Sequence, residues 1–422
     1  MTEDKSPFMH FVSIRDIRQE DKVEYTLSDI ILITICAVLS GHDTWKGISG
    51  YGRKQRDFLL RFDFSGKTSP SEDTIARVMG TISTKSLQKA FIEWMKSCHE
   101  LTDGEVVAID GKTLRGSYNR AADQAAIYMV NAFATANGVC LGQSKVNSKT
   151  NEIIEIPKLL ELLDVSGCLI AIDAMGCQRK IAQKIIDKNA DYLLAVKANQ
   201  GKLDEAFDNY YRPSMLQHFD GDSYSSQEKS HGRLETRCAL INTDLSVLGD
   251  LAYDWPELKT MGIMVSVRQE GKHAEESDIS ARYYISSKSL TAKELHDATR
   301  SHWLIESMHW QLDVGLKEDA CRIRVDDRAE VFARIRQDVL KEHGIQISMD
   351  GKGCYHDNIF VKRLWLSVKH ECVYLTAFEM GSNLKQALHR YFRHYNQTRY
   401  HQSLDYQTPD EVYYKQPVTL AA

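Results

Sequence analysis

The sequence predicts an α/β protein that begins with a helical domain. Apolar residues recur at helical spacing from Tyr25 to about Phe91. From Val106 onward, shorter apolar runs indicate strands and helices in the order three strands, helix, strand, helix, strand. The chain has 422 residues, of which 43% are hydrophobic, so it can bury a large core and form two or three domains.

The helical domain is predicted to span about residues 1–100. Ser28 is suited to cap a helix whose apolar positions include Ile30 and Ile33. A second capped helix is expected after the segment SPSEDT at 69–74. These signals predict helices packed around one apolar core.

The next segment, 101–336, is predicted to be an α/β domain built on a sheet. Strands are expected at 106–110, 126–135 and 138–146, then a helix at about 152–164, a strand at 168–176, a helix through Lys188 and a strand at 191–200. Three strand-like runs, RCALI, MGIMVSV and ARYYISS, predict a β-rich insertion at about 201–295. A long helical pattern follows over 292–314, and composition changes after Arg336.

Composition excludes several classes of protein. A net charge of −5 and a pI near 6.3 give no global attraction to nucleic acid. Nine cysteines without a Cys-x-x-Cys pair argue against a disulfide framework and a structural zinc site, so we expect a cytoplasmic protein. The apolar run at 30–39 has about half the length of a bilayer span, which predicts no membrane role. Gly-Lys-Thr at 111–113 is no phosphate loop, because Val106 stands where that motif needs glycine.

Two aspartates are the strongest candidates for chemistry. Asp110 and Asp173 each end an apolar run, and strand ends at the carboxyl edge of an α/β sheet are common ligand sites. A single strand-end aspartate is most often a turn former. Glu306, predicted one turn past His302 on a helix, is the best third carboxylate. Such an oxygen set suits Mg²⁺ or Mn²⁺, whereas an alternative zinc site would use His302, Glu306, His309 and Asp313.

The chain resembles the H-repeat-associated insertion-sequence transposases over residues 8–336. The shared motifs are IRDIRQEDKVEYTLSDIILITICAVLSG, SPSEDTIARVM, AIDGKTLRGS, AIDAMGCQ, DYLLAVKANQG, HGRLETR and HWLIESMHWQLDVGLKEDACRIR. The resemblance implies a ribonuclease H-like core whose Asp-Asp-Glu (DDE) site is Asp110, Asp173 and Glu306. It also implies two Mg²⁺ or Mn²⁺ ions, hydrolysis at the element's ends, and attack of the freed 3′ hydroxyl on target DNA. The implied partners are the element's terminal inverted repeats, target DNA and a second copy of the chain.

Further positions are candidate DNA contacts. Five follow the first and fifth strands, where solvated loop charge is an equally good explanation: Lys112, Arg115, Lys197, Asn199 and Gln200. Three lie in the insertion, where a plain β-turn with exposed arginines is an equally good explanation: His231, Arg233 and Arg237. Related DDE groups carry a tyrosine, an arginine and a lysine at set offsets from the glutamate. Thr299, His302 and Asp313 occupy those offsets here, so no role is assigned from them.

The last segment, 337–422, resembles the C-terminal end of a different group, the orfB-type transposases with an integrase core. Lys362 stands where that group has its catalytic glutamate, and a lysine cannot replace a carboxylate ligand. The segment is therefore expected to be a foreign α-rich tail, left by a gene fusion, that supplies no active site.

Three functions are compatible with these patterns. The leading hypothesis is a DDE transposase acting on its own element's ends. The alternative is a fusion remnant that binds DNA ends without catalysis, and a third is a metal-dependent nuclease of the same fold with a host role. Inverted repeats flanking the gene would favour the first two.

Overall fold

The chain forms two compact units, Met1–Ser348 and Met349–Ala422. The computed structural model describes residues 8–11, 13–62, 64–66, 68–98, 101–118, 125–146, 152–212, 219–230, 233–270, 277–325, 327–342, 381–399 and 407–415. No helix in these ranges combines the length and apolar character needed to cross a membrane.

The N-terminal part of the first unit is helical, as the sequence predicts. Its helices are α1 (Phe8–Phe11), α2 (Leu27–Leu39), α3 (Trp45–Lys54), α4 (Arg56–Leu59), α5 (Glu72–Met79) and α6 (Thr84–Cys98). Thr26, rather than Ser28, caps α2, because its hydroxyl accepts from the backbone of Asp29 while the Asp29 carboxylate accepts from Thr26. Ser71 caps α5, at the end of the predicted segment.

A single nine-stranded mixed sheet forms the centre of this unit. Its order is β3-β2-β1-β4-β5-β9-β8-β7-β6, with β4 parallel to both β1 and β5 and all other neighbours antiparallel. The strands are β1 (Val106–Leu114), β2 (Ile127–Ala134), β3 (Val139–Val146), β4 (Leu169–Ile172), β5 (Asp191–Val196), β6 (Asp222–Ser230), β7 (Arg233–Asn242), β8 (Thr260–Glu270) and β9 (Ser277–Ser286).

Helices cover both faces of the sheet. They are α7 (Glu152–Leu162), α8 (Arg179–Asp187), α9 (Gly201–Tyr210), α10 (Ala292–His302), α11 (Leu304–Val314) and α12 (Arg328–Glu342). Alternate residues of β1 enter different cores: Val107 and Ile109 join the one that contains α7 and α8, whereas Ala108 packs against Ile305 and Met308 of α11. Burial on both faces explains why the central strands read as continuous apolar runs.

The predicted β-rich insertion is present: after α9, strands β6 to β9 extend the same sheet beyond β5. Two features differ from the sequence prediction. Strand β6 lies at the sheet's edge and was not predicted. The single helix expected over 292–314 is divided at Trp303 into α10 and α11, so His302 and Glu306 lie on different helices.

The C-terminal part contains helices, as predicted. In the second unit the described helices are α13 (Gly381–Gln397) and α14 (Pro409–Lys415). Helix α12 of the first unit continues past the boundary predicted at residue 336. Lys362 lies outside the described residues.

Candidate active site

Asp110 and Asp173 lie side by side at the point where two parallel strands separate. The ladder between β1 and β4 has its last pair at Ile109 and Ile172, and each aspartate is the next residue. Strand β4 ends there, whereas β1 continues to Leu114 because it remains paired with β2. The prediction that Asp110 ends its strand is therefore wrong, but Asp110 does stand at the end of the β1–β4 ladder.

The turn that carries Asp173 is held by side-chain hydrogen bonds. Oδ1 of Asp173 accepts from the backbone N–H of Met175 at 3.0 Å, which caps a short 3₁₀ helix. Two predicted DNA contacts brace the same turn from the loop after β5: Asn199 donates to the carbonyl of Ala174 at 2.6 Å, and Gln200 donates to that of Cys177 at 2.8 Å. In this structure both amides therefore position the Asp173 turn.

Glu306 reaches the site from the first turn of α11. The neighbouring residue, Ile305, is fully buried and packs with Ala108 of β1, so the helix is anchored directly over the strand that carries Asp110. Glu306 itself is exposed. The apolar contact thus fixes the helix while the carboxylate stays at the surface.

The acids act on one another electrostatically. The pKa of the Asp110 carboxyl is raised to about 7, mainly by burial and in addition by the negative charges of Asp173, Glu152 and Glu306, against a hydrogen bond from the Gly111 backbone. A pKa this high means that the groups around the Asp110 carboxylate do not offset its negative charge. The site therefore favours an added positive charge.

His309 and Asn131 support Asp110 from the side. Asn131 is the partner of Asp110 across the β1–β2 ladder, and its side-chain amide lies 3.0 Å from Nε2 of His309. Nδ1 of His309 lies 3.6 Å from Oδ2 of Asp110. Burial lowers the pKa of His309 to about 3, and the charge of Lys112 lowers it too, so the ring is neutral near pH 7. An amide N–H donates to Nε2, which places the ring proton on Nδ1, facing Asp110.

The three acids suit a magnesium or manganese ion by chemistry. All donors are carboxylate oxygens, the ligands these hard cations prefer, and the raised pKa of Asp110 shows the charge that a cation would balance. No three His, Cys, Asp or Glu side chains of the described ranges are arranged to hold an ion together. The acids lie in the same region, but their side chains are not arranged to coordinate one ion together.

The residues of the alternative zinc site have other partners. Nδ1 of His302 lies 3.1 Å from the carbonyl of Ala171, and burial lowers the pKa of this histidine. The carboxylate of Asp313 accepts from Lys112 at 2.6 Å. His302, His309 and Asp313 therefore each hold a different part of the site.

Lys112 is buried, contrary to the expectation of a phosphate contact. Its side chain is 7% exposed, and its ammonium lies 2.6 Å from both Asp313 and Glu318. Burial alone would lower the pKa of Lys112, but the charges of Glu318 and Asp313 outweigh that effect and raise it. Lys112 thus ties β1 to the end of α11 and the loop after that helix.

The remaining candidates differ in their exposure. Arg115 is 82% exposed and Lys197 is exposed, so both can reach a DNA strand. His231 lies outside the described residues, as does the side chain of Arg233, which begins β7. Arg237 is buried, with Glu228 and Glu235 at 3.2 and 2.6 Å.

Three residues around Asp110 were not predicted from the sequence: Asn131, Tyr128 and Glu152. His309 was named only as part of the alternative zinc site. Glu152, the first residue of α7, is buried and accepts a hydrogen bond from the Tyr128 hydroxyl at 3.0 Å. Burial raises the pKa of Tyr128, and Glu152 raises it further. From sequence alone, an acidic residue in the first turn of a helix is explained by its favourable interaction with the helix dipole. Its effect on Asp110 becomes visible only when the fold brings the two residues together.

Three sequence families match consecutive parts of the chain. The family described as DDE_Tnp_1-associated matches residues 8–95, Transposase DDE domain matches 101–337, and Integrase core domain matches 343–409. All three acids fall in the second match.

Relatives with similar sequences carry transposase names. "Putative transposase YncI" of Escherichia coli O157:H7 is 49% identical over 325 residues, which cover 77% of this chain and 83% of the relative. "H repeat-associated putative transposase YhhI" of Escherichia coli K12 is 44% identical over 329 residues, covering 78% and 87%. A shorter match, 43% over 75 residues, covers 18% of this chain and 26% of "Putative transposase InsK for insertion sequence element IS150" of the same strain.

Proposed function

Because this chain belongs to the DDE transposase family, we propose that it cleaves DNA at the ends of its insertion sequence and joins them to target DNA. The proposal is supported by the adjacency of Asp110 and Asp173 at the end of the β1–β4 ladder and by the electrostatic effect of Glu306 on Asp110. The family makes a divalent-metal enzyme the expectation.

We propose a ribonuclease H-like core for strands β1 to β5. Three antiparallel strands are followed by α7, β4, α8 and β5, and the sheet order 3-2-1-4-5 places the first and fourth strands together at its centre. This arrangement makes the acids of β1 and of the turn after β4 neighbours, although 62 residues separate them between positions 110 and 173. Strands β6 to β9 enlarge the sheet before the chain returns to the site in α11.

Asp110, Asp173 and Glu306 would hold two Mg²⁺ or Mn²⁺ ions. Such ions supply activation of the attacking oxygen and stabilisation of the leaving oxygen. The chain's own contribution is orientation: His309 lies beside Asp110, Asn199 and Gln200 brace the Asp173 turn, and Ile305 anchors the helix of Glu306. Supports of this kind commonly matter 10- to 100-fold for metal affinity or activity, by order of magnitude.

The proposed partners are the element's terminal repeats, target DNA and a second copy of the chain. With a net charge of −5, binding must depend on local positive groups. Arg115 and Lys197 are exposed and follow strands that lead into the site, so they are our candidates for contacts with the cleaved strand. Lys112 is reassigned to a positioning role because carboxylates surround its ammonium.

The test is nicking of labelled DNA that carries the sequences flanking the gene. The full chain is compared with Asp173→Ala in Mg²⁺ and in Mn²⁺, and the matched control is Asp187→Ala, an exposed aspartate on α8. We expect nicking by the wild type and the control and none by Asp173→Ala. Equal nicking by all three proteins would reject this assignment of the acids.

A binding remnant without catalysis is the second candidate. It is favoured by the match of residues 343–409 to a family different from that of residues 101–337, which is the pattern of a gene fusion. Binding of the element's ends by a wild type that nicks neither strand in either metal would select this alternative.

A further inference from the structure

Four arginines line one cavity beside the candidate active site. The cavity, of about 220 Å³, lies between strands β7 to β9 and the C-terminal end of α10. We call it the arginine cavity, and its defining residues are Arg237, Arg268, Arg282, Arg300, Trp303 and Glu235.

Positive charge exceeds negative charge in the arginine cavity. Glu235 lies 2.6 Å from Arg237 and 3.9 Å from Arg268, and Glu228 lies 3.2 Å from Arg237 and 3.3 Å from Arg300. Two glutamates therefore serve three arginines. The fourth, Arg282, has no carboxylate within ion-pair distance in the part of the chain that the structure describes, so an excess of two positive charges remains.

One buried donor in this group has no acceptor. The Arg237 side chain is 7% exposed, and its Nε lacks a hydrogen-bond partner among the described residues. Burying an unpaired donor costs on the order of 1–3 kcal/mol, and more for a charged group. An anionic oxygen in the cavity would remove that cost.

Trp303 holds two of the guanidinium groups in place. Arg282 lies 5.1 Å and Arg237 lies 6.0 Å from the centre of its ring, both within cation–π range. The ring already interacts with the chain's own cations, which favours an anion rather than a stacked base as the ligand. Arginine forks are suited to phosphate because they donate two parallel hydrogen bonds to its oxygens.

The position of the cavity links it to the candidate active site. Trp303 is the residue between α10 and α11, three positions before Glu306. The preceding residue, His302, contacts the carbonyl of Ala171 on β4, two positions before Asp173. A group bound in the cavity would therefore lie close to the chain segments that carry two of the acids.

We propose that the arginine cavity binds a phosphate of the DNA backbone next to the cleaved bond. The inference rests on the proposed function, because it names a subsite for the DNA that the active site cuts. Its contribution would be independent of base sequence, since phosphate contacts position DNA without reading it.

The test measures DNA binding without metal for the full chain and three variants. Arg282→Gln removes an exposed guanidinium that has no ion pair. The matched control Lys293→Gln removes an exposed positive charge near the start of α10, outside the cavity. We expect Arg282→Gln to lower the slope of log Kd against log salt by about 0.9, the value of one phosphate contact, and Lys293→Gln to leave it unchanged. Arg268→Gln, a second cavity variant, should behave like Arg282→Gln.

A methylphosphonate scan of the DNA would locate the contact. At one position, neutralising the phosphate should weaken binding by the wild type and by Lys293→Gln, but not further weaken binding by Arg282→Gln. Equal slopes for all four proteins would overturn the subsite. The nicking comparison with Asp173→Ala tests the proposed function separately, since it can succeed while the slopes remain equal.

Inorganic phosphate serves as the competing ligand. If it raised the melting temperature of the wild type but not of Arg282→Gln, while the salt slopes for DNA were the same, the cavity would be a site for a free anion and the proposal would be wrong. A wild type that neither binds nor cuts the DNA would reject the subsite together with the proposed function.

Discussion

Replacing Asp110 by asparagine should stabilise the metal-free protein at neutral and alkaline pH. Burial raises the pKa of Asp110 from 3.8 to about 7, so the folded state holds a proton there that the unfolded chain has already released. Ionising this group in the folded protein therefore costs free energy. Asparagine has a similar shape and no charge, which removes the cost.

The size of the effect is set by the two pKa values. With 3.8 for the unfolded chain and about 7 for the folded protein, the penalty on folding is about 4 kcal/mol at pH 8. It falls to about 1.7 kcal/mol at pH 5 and vanishes below the unfolded pKa, because the aspartic acid is then neutral in both states. Stability lost through Asp110 thus grows as pH rises from about 4 to 7.

Urea denaturation of the full chain in EDTA, followed by tryptophan fluorescence, measures the difference. We expect Asp110→Asn to exceed the wild type in free energy of unfolding by a few kcal/mol at pH 8 and by clearly less at pH 5. The matched control Asp187→Asn changes an exposed aspartate and should show no such dependence. Equal differences at the two pH values, or an Asp110→Asn protein that is less stable than the wild type at pH 8, would contradict a raised pKa of Asp110.

Three further outcomes are expected. Adding Mg²⁺ should raise the melting temperature of the wild type but not of Asp110→Asn, because a cation relieves the same charge; equal shifts would argue against a site at Asp110. Lys112→Met should lower the free energy of unfolding in urea by about 3–5 kcal/mol, because it leaves Glu318 buried without its partner. An unchanged urea midpoint would contradict a buried ion pair at Lys112. Asn199→Ala should slow nicking about tenfold or more without weakening DNA binding, because Asn199 braces the Asp173 turn, whereas the surface control Gln183→Ala should nick normally.

The central strands could be predicted from sequence because burial on both faces leaves continuous apolar runs. Strands β2, β4 and β5 show this pattern along most of their length and β1 shows it up to Ile109, whereas β3 is apolar only at its start. Strand β6 does not: its sequence DSYSSQEKS is polar, since it lies at the sheet's edge and most of its side chains are not buried. An edge strand can be held by backbone hydrogen bonds to a single neighbouring strand, and such bonds leave no pattern of apolar residues in the sequence.

The charged residues around Asp110 could not be placed from sequence for a different reason. Lys112 follows Asp110 by two positions, and its default interpretation is a solvated charge. Its partners Asp313 and Glu318 come about 200 positions later and meet it only because α11 packs on β1. The break at Trp303 is equally hidden, because no glycine or proline marks it.

The order of elements separates the chemistry from the C-terminal segment. The acids come from β1, from the turn after β4 and from the start of α11, all within the DDE domain match that ends at residue 337. The integrase-core match begins at residue 343, after the last acid. A fusion at this point replaces only chain beyond the candidate active-site residues and removes none of the three acids, so a loss of activity would be expected to arise through folding or assembly of the protein. A full-length chain that is soluble, monodisperse and melts in one sharp transition would therefore be expected to retain nicking, and one that aggregates would be expected to lose it with all three acids intact.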